Sequence, residues 1–127
     1  MTTLEKILYV DDEPDIQTIA QLALETVGGF TVRLCGSGKQ AIDNVQGFRP
    51  QLLLLDVMMP EMDGPTTLVE LRKLEVTAST PVIFMTAKVQ PQEVAHYKSL
   101  GALDVIAKPF DPMTLSEQVK QIWESAT

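Results

Sequence analysis

Five residues from four separate stretches of the chain carry side chains that could act together. Asp11 and Asp12 stand side by side after the apolar run Ile7, Leu8, Tyr9 and Val10. Asp56 follows four consecutive leucines, Leu52 to Leu55. Thr86 ends the run Val82, Ile83, Phe84 and Met85, and Lys108 follows the stretch from Leu103 to Ala107. Three carboxylates crowded into one place repel and raise each other's pKa values, so such a set needs cationic compensation. The ammonium of Lys108 and a hard divalent cation would supply it. Magnesium takes oxygen ligands and keeps several of its own waters, so a small carboxylate set suffices to hold it.

For residues so far apart to meet, each must stand at the same end of a shared scaffold. Apolar runs of strand length alternate with stretches of helical period along the whole chain. After the first run, Pro14 suits the opening turn of a helix, and Ile16, Ile19, Ala20, Ala23 and Val27 make an apolar stripe stopped by Gly28 and Gly29. Phe30, Val32 and Leu34 alternate as in a second strand nearer the sheet edge, and a short helix is expected from about Ser37. Gln51 to Asp56 reads as a central strand buried on both faces. Leu68, Leu71 and Leu74 support a third helix. Val82 to Met85 form a buried strand, and Pro91 opens a helix with Val94, Tyr97 and Leu100 inward, stopped by Gly101. Leu103 to Ala107 is the fifth strand. Asp111 and Pro112 read as cap and first residue of a last helix that buries Leu115, Val119 and Ile122.

Five strand-helix units in strict alternation imply an α/β fold, a parallel sheet with right-handed crossovers and helices on both faces. In such sheets ligands bind beyond the carboxyl ends of the strands, near the point where strand order reverses. All five singled-out residues fall at those ends.

With 127 residues, 45% of them hydrophobic, the chain fits one domain over residues 1–127. Aromatic residues make up only 6%, so the core is expected to be aliphatic. The formal net charge of -7 opposes direct contact with nucleic acid or anionic lipid, which needs clustered Lys and Arg. A single cysteine, Cys35, and an N-terminus without a secretory pattern point to a reducing, cytoplasmic setting. No apolar stretch approaches the roughly 20 residues that span a bilayer.

The motifs YVDDEPD, LLLLDVMMPEMDG, VIFMTA and AKPF, in this order on this strand pattern, resemble the receiver domains of two-component response regulators, chemotaxis receivers among them. The resemblance covers essentially the whole chain. It implies a flavodoxin-like, doubly wound five-stranded sheet of order 2-1-3-4-5 with five helices. It also implies that Asp56 accepts a phosphoryl group, with Thr86 and Lys108 as its partners in the reaction. Magnesium would be held by Asp12 and Asp56, by Asp11 directly or through water, and by the backbone carbonyl of Met58. Lys108 would pair with the acceptor and then with a phosphoryl oxygen, while Thr86 moves toward the phosphoryl group and small Ala87 leaves it room. The Lys108 to Pro109 peptide is expected to be cis. The implied donor is a sensor histidine kinase or a histidine phosphotransfer protein. The implied output is control of a partner protein by a monomer or a weak, phosphorylation-dependent dimer, not enzymatic turnover. One position departs from the family: Val105 stands where many receivers carry an aromatic residue three positions before the lysine. Nothing but the receiver is expected, either free-standing or cut from a larger regulator or hybrid histidine kinase.

Taken singly, these residues have plainer readings. Asp11 and Asp12 would serve as helix-capping acids, Asp56 as a strand boundary, and Thr86 and Lys108 as ordinary strand-end residues. Asp63 and Gly64 read as turn and helix entry, His96 as part of a solvated face, Met58, Met59 and Met62 as loop packing, and Trp123 as a half-buried anchor. A flavin or nucleotide carrier would want a Gly-, Ser- and Thr-rich phosphate loop after the first strand, where this chain has DDEPD. A phosphohydrolase would need a substrate pocket and a further acid beside its nucleophile. A receiver that never accepts phosphate would not keep Asp11, Asp12, Asp56, Thr86 and Lys108 together.

Overall fold

Each strand alternates its side chains between two faces, and here both faces are covered. The computed structural model describes residues 3–126. Its strands are β1 (Lys6–Val10), β2 (Thr31–Cys35), β3 (Leu52–Asp56), β4 (Val82–Thr86) and β5 (Asp104–Ala107). They form one parallel sheet in the order β2-β1-β3-β4-β5. The helices are α1 (Pro14–Gln21), α2 (Gly38–Phe48), α3 (Gly64–Arg72), α4 (Pro91–Ser99) and α5 (Leu115–Ser125). The α/β class, the flavodoxin-like order and the five helices are as expected.

Period-two alternation sorts the sheet's side chains into two cores. Leu8, Val10, Leu53, Leu55, Val82 and Phe84 meet Ala41, Val45 and Phe48 of α2 and Leu68 and Leu71 of α3. On the other face Ile7, Tyr9, Leu52, Leu54, Ile83 and Met85 meet Ala20, Ala23 and Leu24 near α1, and Leu115 and Val119 of α5. The four leucines of β3 are split two and two between these cores, which explains why that strand is apolar throughout. Edge strand β2 is only half-buried over Val32 and Leu34.

Four local expectations need correction. α1 runs on through a π-helical turn, Leu22–Val27, whose i→i+5 bonds shift later residues off a 3.6-residue stripe. Leu24 is therefore buried while Val27 is exposed; Ile19, which precedes that turn, lies with Leu22 on the outward face. Leu74 lies beyond α3, before the 3₁₀ turn Glu75–Thr77, where Arg72 donates to the carbonyls of Thr77 and Thr80 at 2.9 and 2.5 Å. Leu100 is exposed, because α4 ends at Ser99 and its inward packing rests on Tyr97, whose ring lies 5.2 Å from that of Phe84. Asp111 does not cap α5 directly. Its side chain accepts from the Met113 amide at 2.9 Å, within a turn that precedes Leu115.

Candidate functional site

Strand order reverses between β1 and β3, since β2 lies beyond one and β4 beyond the other. Val10 pairs with Leu55 across this seam, so the next residues on each strand, Asp11 and Asp56, leave the sheet as neighbours. Backbone ladders extend past the strand ends to fix these tips. The Asp11 amide donates to the Cys35 carbonyl at 3.0 Å, Val57 to Met85 at 3.0 Å, and Lys108 to Thr86 at 2.9 Å.

These ladders bring the acids and the ammonium together. Lys108 Nζ lies 3.0 Å from Asp11 Oδ2, 3.2 Å from Asp56 Oδ1 and 3.7 Å from Glu13 Oε1. Asp11 is fully buried and Asp56 is 3% exposed. Asp11 is held further: Oδ1 accepts from the Glu13 amide at 3.0 Å, Oδ2 accepts from the Tyr9 hydroxyl at 3.2 Å, and its carbonyl accepts from Gln17 Nε2 at 2.6 Å. Thr86 is buried, and its hydroxyl accepts from the Lys88 amide at 3.1 Å. Ala87 beside it is exposed, and the Lys108 to Pro109 peptide is cis.

Charge is unevenly matched here. Burial pushes the Asp56 carboxyl up to about 6, the Asp11 charge adds to this, and Lys108 pulls it partly back. For Lys108 burial acts downward, but hydrogen bonding and charge from Asp11, together with Asp56, outweigh it and leave the ammonium above its ordinary value. Burial, then the Asp11 charge, holds the Tyr9 phenol well above its ordinary value, so it remains a neutral donor. Asp11, Asp12, Glu13 and Asp56 each offer an oxygen, and these oxygens lie within 4.8 Å of one another. An all-oxygen donor set with two buried carboxylates suits a hard cation such as magnesium and gives no nitrogen or sulfur ligand for a softer one.

The structure therefore unites Asp11, Asp12, Asp56 and Lys108, with Thr86 on the neighbouring strand end. Met58 follows Asp56 by two residues with its side chain 77% exposed, so only its backbone could serve a cation. Of the methionines read as loop packing, Met59 is buried but Met58 is not. Asp63 caps α3 by accepting from the Thr66 amide at 2.8 Å, as read. Gly64 does more than open that helix. A Cβ there would fall 2.5 Å from the Asp56 carbonyl oxygen and 3.0 Å from Val57 Cα, and its amide donates to Val57 at 2.9 Å. Sequence reasoning missed Glu13, Gln17 and the Tyr9 hydroxyl. The signal for Tyr9 was present, since residues two apart on a strand share a face.

A family model described as the response regulator receiver domain matches residues 7–120. Among curated relatives, Regulatory protein AtoC of Escherichia coli is 36% identical over 87% of this chain and 23% of its own length. Alkaline phosphatase synthesis transcriptional regulatory protein PhoP of Bacillus subtilis is 36% identical over 93% of this chain and 48% of its own. The chain thus spans half or less of either relative. Among solved structures, Vibrio cholerae chemotaxis protein CheY4 is similar with a TM-score of 0.85 at 28% identity, covering 94% of this chain and 99% of that one. The N-terminal domain of a response regulator receiver protein from Methanoculleus marisnigri is 35% identical with a TM-score of 0.75, covering 94% and 96%. No helix among the described residues is long and apolar enough to cross a membrane.

Proposed function

The chain belongs to the response regulator receiver domain family of two-component systems, and on that premise we propose that it is a phosphoacceptor switch whose nucleophile is Asp56. The observation that carries this reading is the Asp56 carboxylate: almost fully buried, 3.2 Å from Lys108, and set in the four-carboxylate cluster at the sheet's reversal point.

A carboxylate oxygen of Asp56 attacks the phosphorus of a phosphohistidine on a sensor histidine kinase or histidine phosphotransfer protein. The new O–P bond gives an acyl phosphate as the P–N bond breaks, and the imidazole nitrogen keeps the electron pair. Lys108, already shared between Asp11 and Asp56, offers its donors to the developing charge on the phosphoryl oxygens. Asp12, Asp56, Asp11 and the Met58 carbonyl are the groups that would hold magnesium. When bound, the ion neutralises charge on the carboxylates and the transferring group.

Phosphorylation adds about 1.5 to 2 negative charges at this rim. Thr86 can respond by leaving the Lys88 amide and donating its hydroxyl to a phosphoryl oxygen. Driving a two-state equilibrium from 1:99 to 99:1 needs about 5.5 kcal/mol, which two or three charge-assisted hydrogen bonds can supply. Val105 is half-buried on β5 and carries no ring, so coupling in this chain depends on Thr86 and not on an aromatic swing there.

On this reading the output is contact with a partner protein rather than with nucleic acid, by a monomer or a weak phosphorylation-dependent dimer. The setting is cytoplasmic, where a free thiol such as Cys35 persists. The greater length of the relatives favours a second reading, in which this receiver is one part of a larger regulator or hybrid kinase whose attached domain provides the output. The deciding experiment incubates the chain with magnesium and acetyl phosphate or phosphoramidate and measures intact mass. One phosphoryl group is expected, suppressed by chelator and absent from Asp56→Asn. Equal labelling of the variant would remove Asp56 from its role.

A further inference from the structure

Tyr9 lies fully buried in β1, on the face that packs against α1 and α5. Its ring is enclosed by apolar side chains, yet its hydroxyl reaches the rim and donates to Asp11 Oδ2 at 3.2 Å. A buried phenol needs an acceptor, and the one taken here is a carboxylate of the metal cluster. Asp11 Oδ2 thus has two donors of different character. Lys108 is shared with Asp56 and Glu13, and phosphoryl transfer draws it away. The Tyr9 ring is fixed in the core, so its hydroxyl stays where it is while Lys108 is redirected.

We propose that Tyr9 is a positioning residue of the phosphoacceptor site, holding the Asp11 carboxylate in the orientation in which it faces Asp12 and Asp56. The inference rests on the reading of that cluster as a divalent-cation site. Outer partners of ligating carboxylates fix ligand orientation, and their loss typically costs 10- to 100-fold in metal affinity.

The test is Tyr9→Phe in the full chain, which deletes one oxygen and keeps the ring. Magnesium affinity is read by calorimetric titration and stability by urea unfolding in chelator. Affinity about tenfold weaker than wild type is expected. Equal or tighter binding overturns the proposal, and a loss of stability with unchanged affinity assigns Tyr9 a packing role only. Should Tyr9→Phe fail to fold, the wild type and Tyr97→Phe decide, because the chain has only these two tyrosines. Magnesium should perturb the tyrosine ultraviolet spectrum in both; a Tyr97→Phe protein whose spectrum ignores magnesium overturns the proposal. A wild type without magnesium affinity overturns the cation-site reading itself, which separates the two failures.

Discussion

Replacing Asp56 should stabilise this protein, provided magnesium is absent. Burial and the neighbouring Asp11 charge hold Asp56 at about 6 in the folded chain, against an ordinary value of 3.8. The folded state therefore binds the proton more tightly than the unfolded state. The stability this gives is fully present below about pH 4 and is lost as pH rises through 6. Above that range the ionised carboxylate costs about 3 kcal/mol, at 1.36 kcal/mol for each factor of ten in proton affinity. Asparagine has nearly the same shape and no charge, so it imitates the protonated acid at every pH. Asp56→Asn should then exceed the wild type by about 2–3 kcal/mol at pH 7.5 in chelator, or roughly 10 °C in Tm for a domain of this size. At pH 5 the gain should fall to about half, because there the wild-type carboxyl is already largely protonated. Saturating magnesium should narrow the gap from the other side, since a ligand at a hundredfold excess over its Kd adds about 2.7 kcal/mol to the wild type. Urea unfolding at both pH values, with and without magnesium, measures all four quantities. A variant no more stable than wild type, or a gain that ignores pH, would refute the electrostatic account of the site.

Three other substitutions test separate parts of the arrangement. Lys108→Met strips the Lys108 ammonium from two buried carboxylates and should cost about 3–5 kcal/mol in chelator, more at pH 7.5 than at pH 5; equal losses at both pH values would contradict this. Gly64→Ala forces a Cβ onto the Asp56 carbonyl and should cost about 1–3 kcal/mol while slowing labelling by acetyl phosphate; unchanged stability and labelling would mean that the backbone yields freely there. Thr86→Ala removes the acceptor of the Lys88 amide and should cost about 1 kcal/mol. It should still take up a phosphoryl group, but the amide shifts that beryllium trifluoride induces around residues 86 to 88 should shrink, as seen by NMR.

What could be read in the sequence followed burial. The leucines of β3 announce a central strand because both of its faces are covered, and the carboxylate after them is conspicuous for the same reason. Where burial is partial, periodicity misleads. No residue of α4 is fully buried; Val94 and Tyr97 are half-buried, with Tyr97 against Phe84, and nothing holds Leu100 to their spacing. The α1 stripe fails at Val27 for a different reason, a π turn that changes the helical period there. Most of the site was legible because parallel register carries strand ends to one rim. Gly64 was not, since its approach to Asp56 depends on the loop folding back onto the Val57 carbonyl, which no local pattern encodes.

Burial and the excess of acid over base at the rim raise the Asp56 carboxyl, yet leave it ionised enough for the nucleophilic role proposed above. A carboxyl held at about 6 is roughly nine-tenths ionised at pH 7, so attack needs no separate base. The same burial leaves that charge poorly solvated, and Lys108 is divided among three carboxylates. On the proposed reading Asp56 is thus ionised and under-compensated at once. On that reading a cation that satisfies the cluster and a phosphoryl group that recruits Lys108 and Thr86 both relieve that condition, and the response reaches β4 and β5 because Thr86 and Lys108 stand at their ends, joined by the hydrogen bond from the Lys108 amide to the Thr86 carbonyl.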